Sequence, residues 1–165
     1  NGLGQPSDRP LALAYLNSKF ETGIRSPLDA AILRDQRPDV DGYSKCDEIP
    51  FDFNRRRLSI VVEREEANGI ERLLITKGAP EGILDLCDSY EADAGACAYE
   101  PGAIQTTRNI YRELCSRGLR VLAVAHRPVQ GHGGFSAADE HSLVLAGFLA
   151  FPIRRHKTPP LPSPP

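Results

Sequence analysis

Aromatic and cationic side chains stand together in Pro50-Phe51-Asp52-Phe53-Asn54-Arg55-Arg56-Arg57, where two rings are followed by three guanidinium groups. A ring can stack on a flat base and a guanidinium can hold two phosphate oxygens, so nucleotide recognition is one chemistry open to this segment. Read as a strand, its alternation puts Phe51 and Phe53 on one face, with Arg55 and Arg57 continuing that face. Core aromatics beside a solvated arginine run would give the same pattern, and residue type alone leaves both readings open. A second segment, Lys77-Gly78-Ala79-Pro80-Glu81, joins the end of a strand to the start of a helix. Lysine there can meet an anion, glycine lets a ligand approach the backbone, and a helix start exposes amides. A plain strand-to-helix turn accounts for it equally well. Arg120 interrupts the apolar run of residues 119–125, which implies either an edge position or a buried guanidinium with a defined partner. Asp39-Val40-Asp41 offers paired carboxylates, but it follows Arg37-Pro38 and precedes Gly42 instead of ending an apolar strand, so it reads as loop.

The elements that would position these groups follow from periodicity and punctuation. Ser7-Asp8-Arg9-Pro10 and Ser26-Pro27-Leu28-Asp29 are helix starts, each with a capping oxygen and a proline suited to the first turn. From Tyr43 the period changes to two, and Asn68-Gly69 between residues 59–62 and 73–76 predicts a tight antiparallel hairpin. Pro80-Glu81 begins a short helix with its acid in the first turn. Residues 88–102 read as a polar loop, and residues 104–117 as a helix ended by Gly118. A strand is predicted over 119–125, a capping box at Ser136-Ala137-Ala138-Asp139, and a last strand over 143–151. Helices grouped with hairpin-linked strands predict an α+β domain, a mostly antiparallel twisted sheet with flanking helices.

The chain has 165 residues, 25% of them charged, with a formal net charge of -2. That size suits one domain, and the near-neutral balance argues against a general nucleic-acid binder. No apolar run reaches the length of a membrane-spanning helix, and the expectation is a soluble, unexported fragment. The four cysteines, Cys46, Cys87, Cys97 and Cys115, are widely spaced without a paired motif, which predicts reduced thiols in a cytosolic protein and no metal site. Residues 152–165 are rich in proline and predict a disordered end outside a domain of residues 1–151.

Taken in order, three segments resemble the nucleotide-binding (N) domain of P-type ATPases: Asp47 to Ser59 with its Ile-Pro-Phe-Asp-Phe core, Lys77-Gly78-Ala79-Pro80-Glu81, and Arg117-Gly118-Leu119-Arg120-Val121-Leu122-Ala123-Val124-Ala125. The stretch Thr22-Gly23-Ile24-Arg25-Ser26-Pro27-Leu28-Asp29-Ala30-Ala31-Ile32-Leu33 resembles the magnesium-transporting branch, although calcium and proton pumps carry similar stretches. The resemblance implies ATP as ligand, with adenine stacked on Phe53, Lys77 deep in the base pocket and Gly78 beside it. It further implies Asp29 as acceptor for the adenine amino group, and Arg55 and Arg120 near the phosphates. Leu58 stands where a relative carries lysine, which implies weak phosphate affinity. Mg2+ would accompany ATP in the complete pump, and the phosphorylation, actuator and membrane domains would be its partners. The phosphorylated aspartate of the family's Asp-Lys-Thr-Gly motif is not in this sequence. The implied molecule is therefore a monomeric, inactive fragment, the cytoplasmic part of a plasma (inner) membrane pump. Family members continue with Leu-Asp-Pro-Pro-Lys after a stretch like residues 147–151, and a frameshift at the junction is one source for the different tail.

Overall fold

A computed structural model describes residues 4–35 and 38–153. Along the chain come α1 (Arg9–Phe20), α2 (Pro27–Asp35), β1 (Ser44–Asp52), β2 (Arg57–Glu66), β3 (Gly69–Gly78), α3 (Pro80–Leu84), β4 (Cys87–Ala92), β5 (Gly95–Ala98), α4 (Ala103–Ser116), β6 (Leu119–Pro128) and β7 (Leu143–Pro152). The strands form one sheet in the order β1-β2-β3-β6-β7-β4-β5. Every neighbouring pair is antiparallel except β4 with β7. This is the α+β architecture that the element order predicts.

Both faces of the sheet are covered, which is why its central strands carry apolar residues at successive positions. In β2, Leu58, Ile60 and Val62 face one side with Leu73 and Ile75 of β3, and Leu13, Leu16 and Ile32 of α1 and α2 close that core. Val61 and Leu74 face the other side with Ala123, Ala125 and Leu145, beneath Ile83 and Leu84 of α3. Each fully buried leucine or isoleucine in these layers contributes about 1.5–3 kcal/mol over its exposed state. Asn17 fixes α1 on the sheet, because its Nδ2 donates to the carbonyls of Leu58 (3.3 Å) and Ile75 (2.9 Å).

The β2–β3 hairpin forms with its turn one residue earlier than the Asn-Gly signal suggests. Glu66 pairs with Gly69, leaving Ala67 and Asn68 as the loop, and Gly69 uses its conformational freedom at φ 127° to restart the strand. Residues 88–102, expected as loop, instead contain β4 and β5. Their pairing from Ser89–Ala98 to Ala92–Gly95 puts a short hairpin at the sheet edge. An edge hairpin tolerates polar residues, so composition concealed it. Asp39 and Asp41 lie in the connection between α2 and β1, as expected. Pro152 still pairs with Leu119, one residue beyond the expected domain end, and residues 154–165 of the proline-rich segment lie outside the described residues.

Candidate functional site

The aromatic-arginine segment is a corner and not the continuous strand its alternation predicts. β1 ends at Asp52, which pairs with Arg57 at the start of β2. Asp52 builds the turn: its Oδ1 accepts the N–H groups of Asn54 (2.9 Å) and Arg55 (2.8 Å), and its carbonyl accepts that of Arg56 (2.6 Å). Arg56 takes a φ of 53°. The corner throws Phe53 outward to 88% exposure. Phe51 packs edge-on against it, with centroids 5.3 Å apart and planes at 90°. Of the two readings left open by residue type, the core one fails for both rings. They make an apolar platform on water.

The arginines beside that platform are not a solvated row either. Arg55 Nη1 and Arg57 Nε both donate to Glu140 Oε2, at 2.6 and 2.7 Å. Arg55 Nη2 also donates to the Pro50 carbonyl at 2.8 Å. Glu140 is 2% exposed, and its Oε1 accepts the Ser59 hydroxyl at 2.8 Å. Because Ser59 has only one proton to give, Thr76 must be the donor in their 2.7 Å contact. The chain reaches Glu140 through the capping box of Ser136 and Asp139, which closes a short 3-10 turn just before it. Arg56, between the two tethered arginines, is exposed.

Gly78 serves this corner directly. The Ala79 N–H donates to the Arg56 carbonyl at 3.0 Å, and a Cβ on Gly78 would stand 2.3 Å from that oxygen and 2.7 Å from Arg57 Cα. The close approach that a glycine permits here is made by the protein's own backbone, where the sequence reading gave the space to a ligand.

Alternation along β3 turns Lys77 to the opposite side, toward α1 and α2. It is 7% exposed, donates to Ser18 Oγ at 2.7 Å and is paired with Asp29 Oδ1, while Glu21 Oε2 lies 4.0 Å away. Ser18 in turn donates to Asp29 Oδ1 at 3.0 Å. The other Asp29 oxygen accepts the N–H and hydroxyl of Ser26, at 2.8 and 2.6 Å, and Ser26 Oγ accepts the Asp29 N–H at 3.3 Å. Asp29 is thus a helix-capping residue as well as the partner of Lys77, with both its oxygens in use. Burial alone would raise its pKa, but Lys77 and the Ser26 bonds outweigh burial and hold it at about 2. For Glu21 the balance reverses. Burial pushes it up to about 7 despite Lys77, and the neighbouring Asp29 charge adds to the rise. Its Oε1 is buried without a hydrogen-bond partner among the described residues.

Strand register brings most of the sequence-derived residues to one end of the sheet. Leu58 lies opposite Lys77 and Arg57 opposite Gly78, so Phe53, Arg55, Lys77 and Gly78 converge, and α2 carries Asp29 to Lys77. Arg120 stands apart. Gly78 pairs with Ala123, and Arg120 lies three residues earlier on β6, about 10 Å along the strand, where it pairs only with Phe151 of β7. It is exposed, and because β3 ends opposite Ala123 it has a ladder partner on one side only, so of the two settings its sequence implied the edge position holds locally and the buried guanidinium does not. Two concavities, of about 550 and 280 Å3, lie elsewhere, one lined by Asp41, Ser44, Glu63 and Ile70 and the other by Pro6, Pro10, Ile110 and Phe148. The corner is an open platform.

A family profile described as P-type ATPase, cytoplasmic domain N, matches residues 3–154. The chain belongs to that family. It is 35% identical over 154 residues to a magnesium-transporting ATPase, P-type 1, of Escherichia coli, and 34% identical over 156 residues to one of Salmonella typhimurium. Each alignment covers 90% of this chain and 17% of the relative. A calcium-transporting ATPase of Bacillus subtilis is 32% identical over 88 residues, covering 53% of this chain and 10% of that relative. No helix among the described residues is long and apolar enough to cross a membrane.

Sequence reasoning missed three polar members of the clusters around Lys77 and Arg55, namely Ser18, Glu21 and Glu140. Their partners lie far away along the chain, 59 residues for Ser18 with Lys77 and 83 for Glu140 with Arg57, so no local spacing reports them. The one local signal is the capping box ahead of Glu140, which fixes where an acid could be delivered.

Proposed function

We propose that this N domain binds ATP on the Phe53 corner and presents the γ-phosphate to the phosphorylation domain of a P-type ATPase that transports Mg2+. The observation that carries this reading is the 88% exposed Phe53 ring, held by a hydrogen-bonded corner at the sheet end that also holds Lys77. An aromatic face on water offers adenine a stacking partner, and such stacking contributes about 1–3 kcal/mol per base. Lys77 and Gly78 border the base, Lys77 as a fixed buried cation and Gly78 by letting the corner seat on β3. Asp29 acts through Lys77, and Glu21 supplies the acceptor for the adenine amino group, since its Oε1 is unpaired while both Asp29 oxygens are engaged. Arg120 and Arg55 meet the phosphates, with Arg55 pre-positioned by Glu140.

No aspartyl-phosphate chemistry is assigned to this chain, because the Asp-Lys-Thr-Gly motif is absent from its sequence. The domain's work is to hold and orient the nucleotide with its Mg2+, on the cytoplasmic side of the membrane that houses the pump. Magnesium is favoured as transported ion because the magnesium-transporting relatives match over 90% of the chain and the calcium-transporting one over 53%.

Amide chemical-shift perturbation during ATP titration tests the reading, with changes expected at Phe53, Lys77 and Gly78. Phe53→Ala is expected to weaken ATP binding by roughly 5- to 150-fold. It should alter folding stability by less than about 0.5 kcal/mol, since the ring is on the surface. Unchanged ATP affinity in Phe53→Ala overturns the proposal.

A further inference from the structure

At the opposite end of the sheet, Cys46 of β1, Glu63 of β2 and His132 of the loop after β6 each offer a ligand atom, all within 4.8 Å of one another. We propose that these three side chains bind one borderline-soft divalent ion of the Zn2+ class, at a site separate from the nucleotide platform. From Leu58 to Glu63 the strand advances about 17 Å, which sets the distance between the two sites.

The backbone aims the ligands. Lys45 pairs with Val62 but Asp47 pairs with Val61, so Cys46 is the extra residue of a β-bulge, a device that re-aims a side chain. Its Sγ lies 3.9 Å from Glu63 Oε2. The loop carrying His132 is tied to the same strand, since Cys46 Sγ donates to the His132 carbonyl at 3.5 Å and Asp47 Oδ2 accepts the Phe135 N–H at 3.0 Å. Gly131, at φ 95°, precedes the histidine, and Gly133 and Gly134 follow it. The ring can therefore close the gap of about 1 Å that a tetrahedral ion with Zn–N and Zn–S distances of about 2.0–2.3 Å requires.

Arg72 is the group to reckon with. Its Nε donates to Glu63 Oε2 at 2.9 Å, and its Nη2 stands 3.0 and 3.2 Å from the two His132 ring nitrogens. Binding an ion releases the ring contact and keeps the carboxylate one, so that Glu63 ligates through Oε1 while Arg72 holds Oε2. Hydrogen-bonded carboxylates of this kind are the usual outer support of a metal site. Thiolate and carboxylate together neutralise the ion, and the fourth position stays open to water. A sulfur, nitrogen and oxygen donor set disfavours Mg2+, which demands oxygen ligands in an octahedron. No sequence motif announces the site, because its ligands meet only through strand pairing and a loop.

Co2+ is the probe, because a thiolate ligand gives it a charge-transfer absorption. The full chain is expected to bind one Co2+ with that band, and to lose it when Zn2+ but not excess Mg2+ is added. Cys46→Ser should abolish the band, and His132→Gln, on an exposed loop, should lower Co2+ affinity at least ~10-fold. Cys115→Ser and Phe53→Ala should leave it unchanged, with far-ultraviolet circular dichroism confirming that each variant folds. Absence of the band, its survival in Cys46→Ser, or wild-type affinity in His132→Gln overturns the site and leaves an Arg72–Glu63 ion pair only.

Discussion

Two buried ionic clusters flank the same end of the sheet, one on each face, and they are wired in opposite senses. On the α1 and α2 face the central charge is a cation, Lys77, with Asp29 as its partner and Glu21 left over. Across the sheet the innermost charge is an anion, Glu140, shared by Arg55 and Arg57 and completed by Ser59. A central carboxylate can satisfy two guanidiniums because it has two oxygens and several lone pairs, and arginine never deprotonates in a protein. A central ammonium surrounded by two acids cannot neutralise both, so one acid takes the cation and the other holds its proton. The arginine cluster is a fixed brace for the Phe53 corner, whereas the lysine cluster retains a group that titrates near neutrality.

The brace should give the largest single loss. Glu140→Ala strips two guanidiniums and the Ser59 hydroxyl of a 2% exposed acceptor, and removing one partner of a buried charge cluster costs about 3–5 kcal/mol. Urea unfolding would read this, with the same loss at pH 5 and pH 7 because the orphaned arginines stay charged. A loss under 1 kcal/mol would mean that Arg55 and Arg57 are solvated and that no brace exists. Lys77→Met should cost less, about 2–3 kcal/mol at pH 7, because the abandoned acids can take up protons and Asp29 keeps its bonds from Ser18 and Ser26. Here the loss should shrink toward pH 5. A pH-independent penalty for Lys77→Met would erase the distinction between the clusters.

Much of this arrangement was legible in the sequence, and what escaped has a physical reason. Apolar periodicity located the central strands, since burial on both faces leaves no other pattern for residues 58–62 or 143–146. That Lys77 meets an anion was legible as residue type, the anion being Asp29, and the Ser26-to-Asp29 signal marked a real helix cap. The pairing of Asp29 with Lys77 was not legible, because a cap and a partner of a distant cation look the same in sequence. The corner at residues 53–56 was hidden because Asp52 makes its turn with side-chain bonds, which a period-two pattern does not register. Gly78 was singled out for close approach, and the backbone of Arg56 and Arg57 makes one such approach, which a local pattern cannot name. Glu140 could not be found from spacing, since only tertiary packing brings it to Arg55.

The smallest expected effect isolates the leftover acid. In the unfolded chain Glu21 titrates near 4.5, and in the folded domain at about 7. Between those values the folded state holds more protons, so stability falls as pH rises through this window and stays lower above it. Asp29 acts the other way, its contribution present above 3.8 and lost as pH falls toward about 2. Glu21→Gln removes only the alkaline cost, because glutamine keeps the shape and the neutral form. The variant should match the parent at pH 4 and exceed it by about 1 kcal/mol at pH 8. That is less than the roughly 3 kcal/mol the full shift would represent, since local relaxation and water penetration soften the cost of the buried charge. Urea midpoints at the two pH values decide it: an equal gain at both would assign the effect to packing and not to ionisation. ATP affinity measured on the same proteins carries the argument to the platform. If Glu21 accepts the adenine amino hydrogen bond through its ionised carboxylate, affinity rises from pH 6 to pH 8 in the parent and is flat in Glu21→Gln, whereas parallel profiles would detach this acid from the nucleotide while leaving its electrostatic role intact.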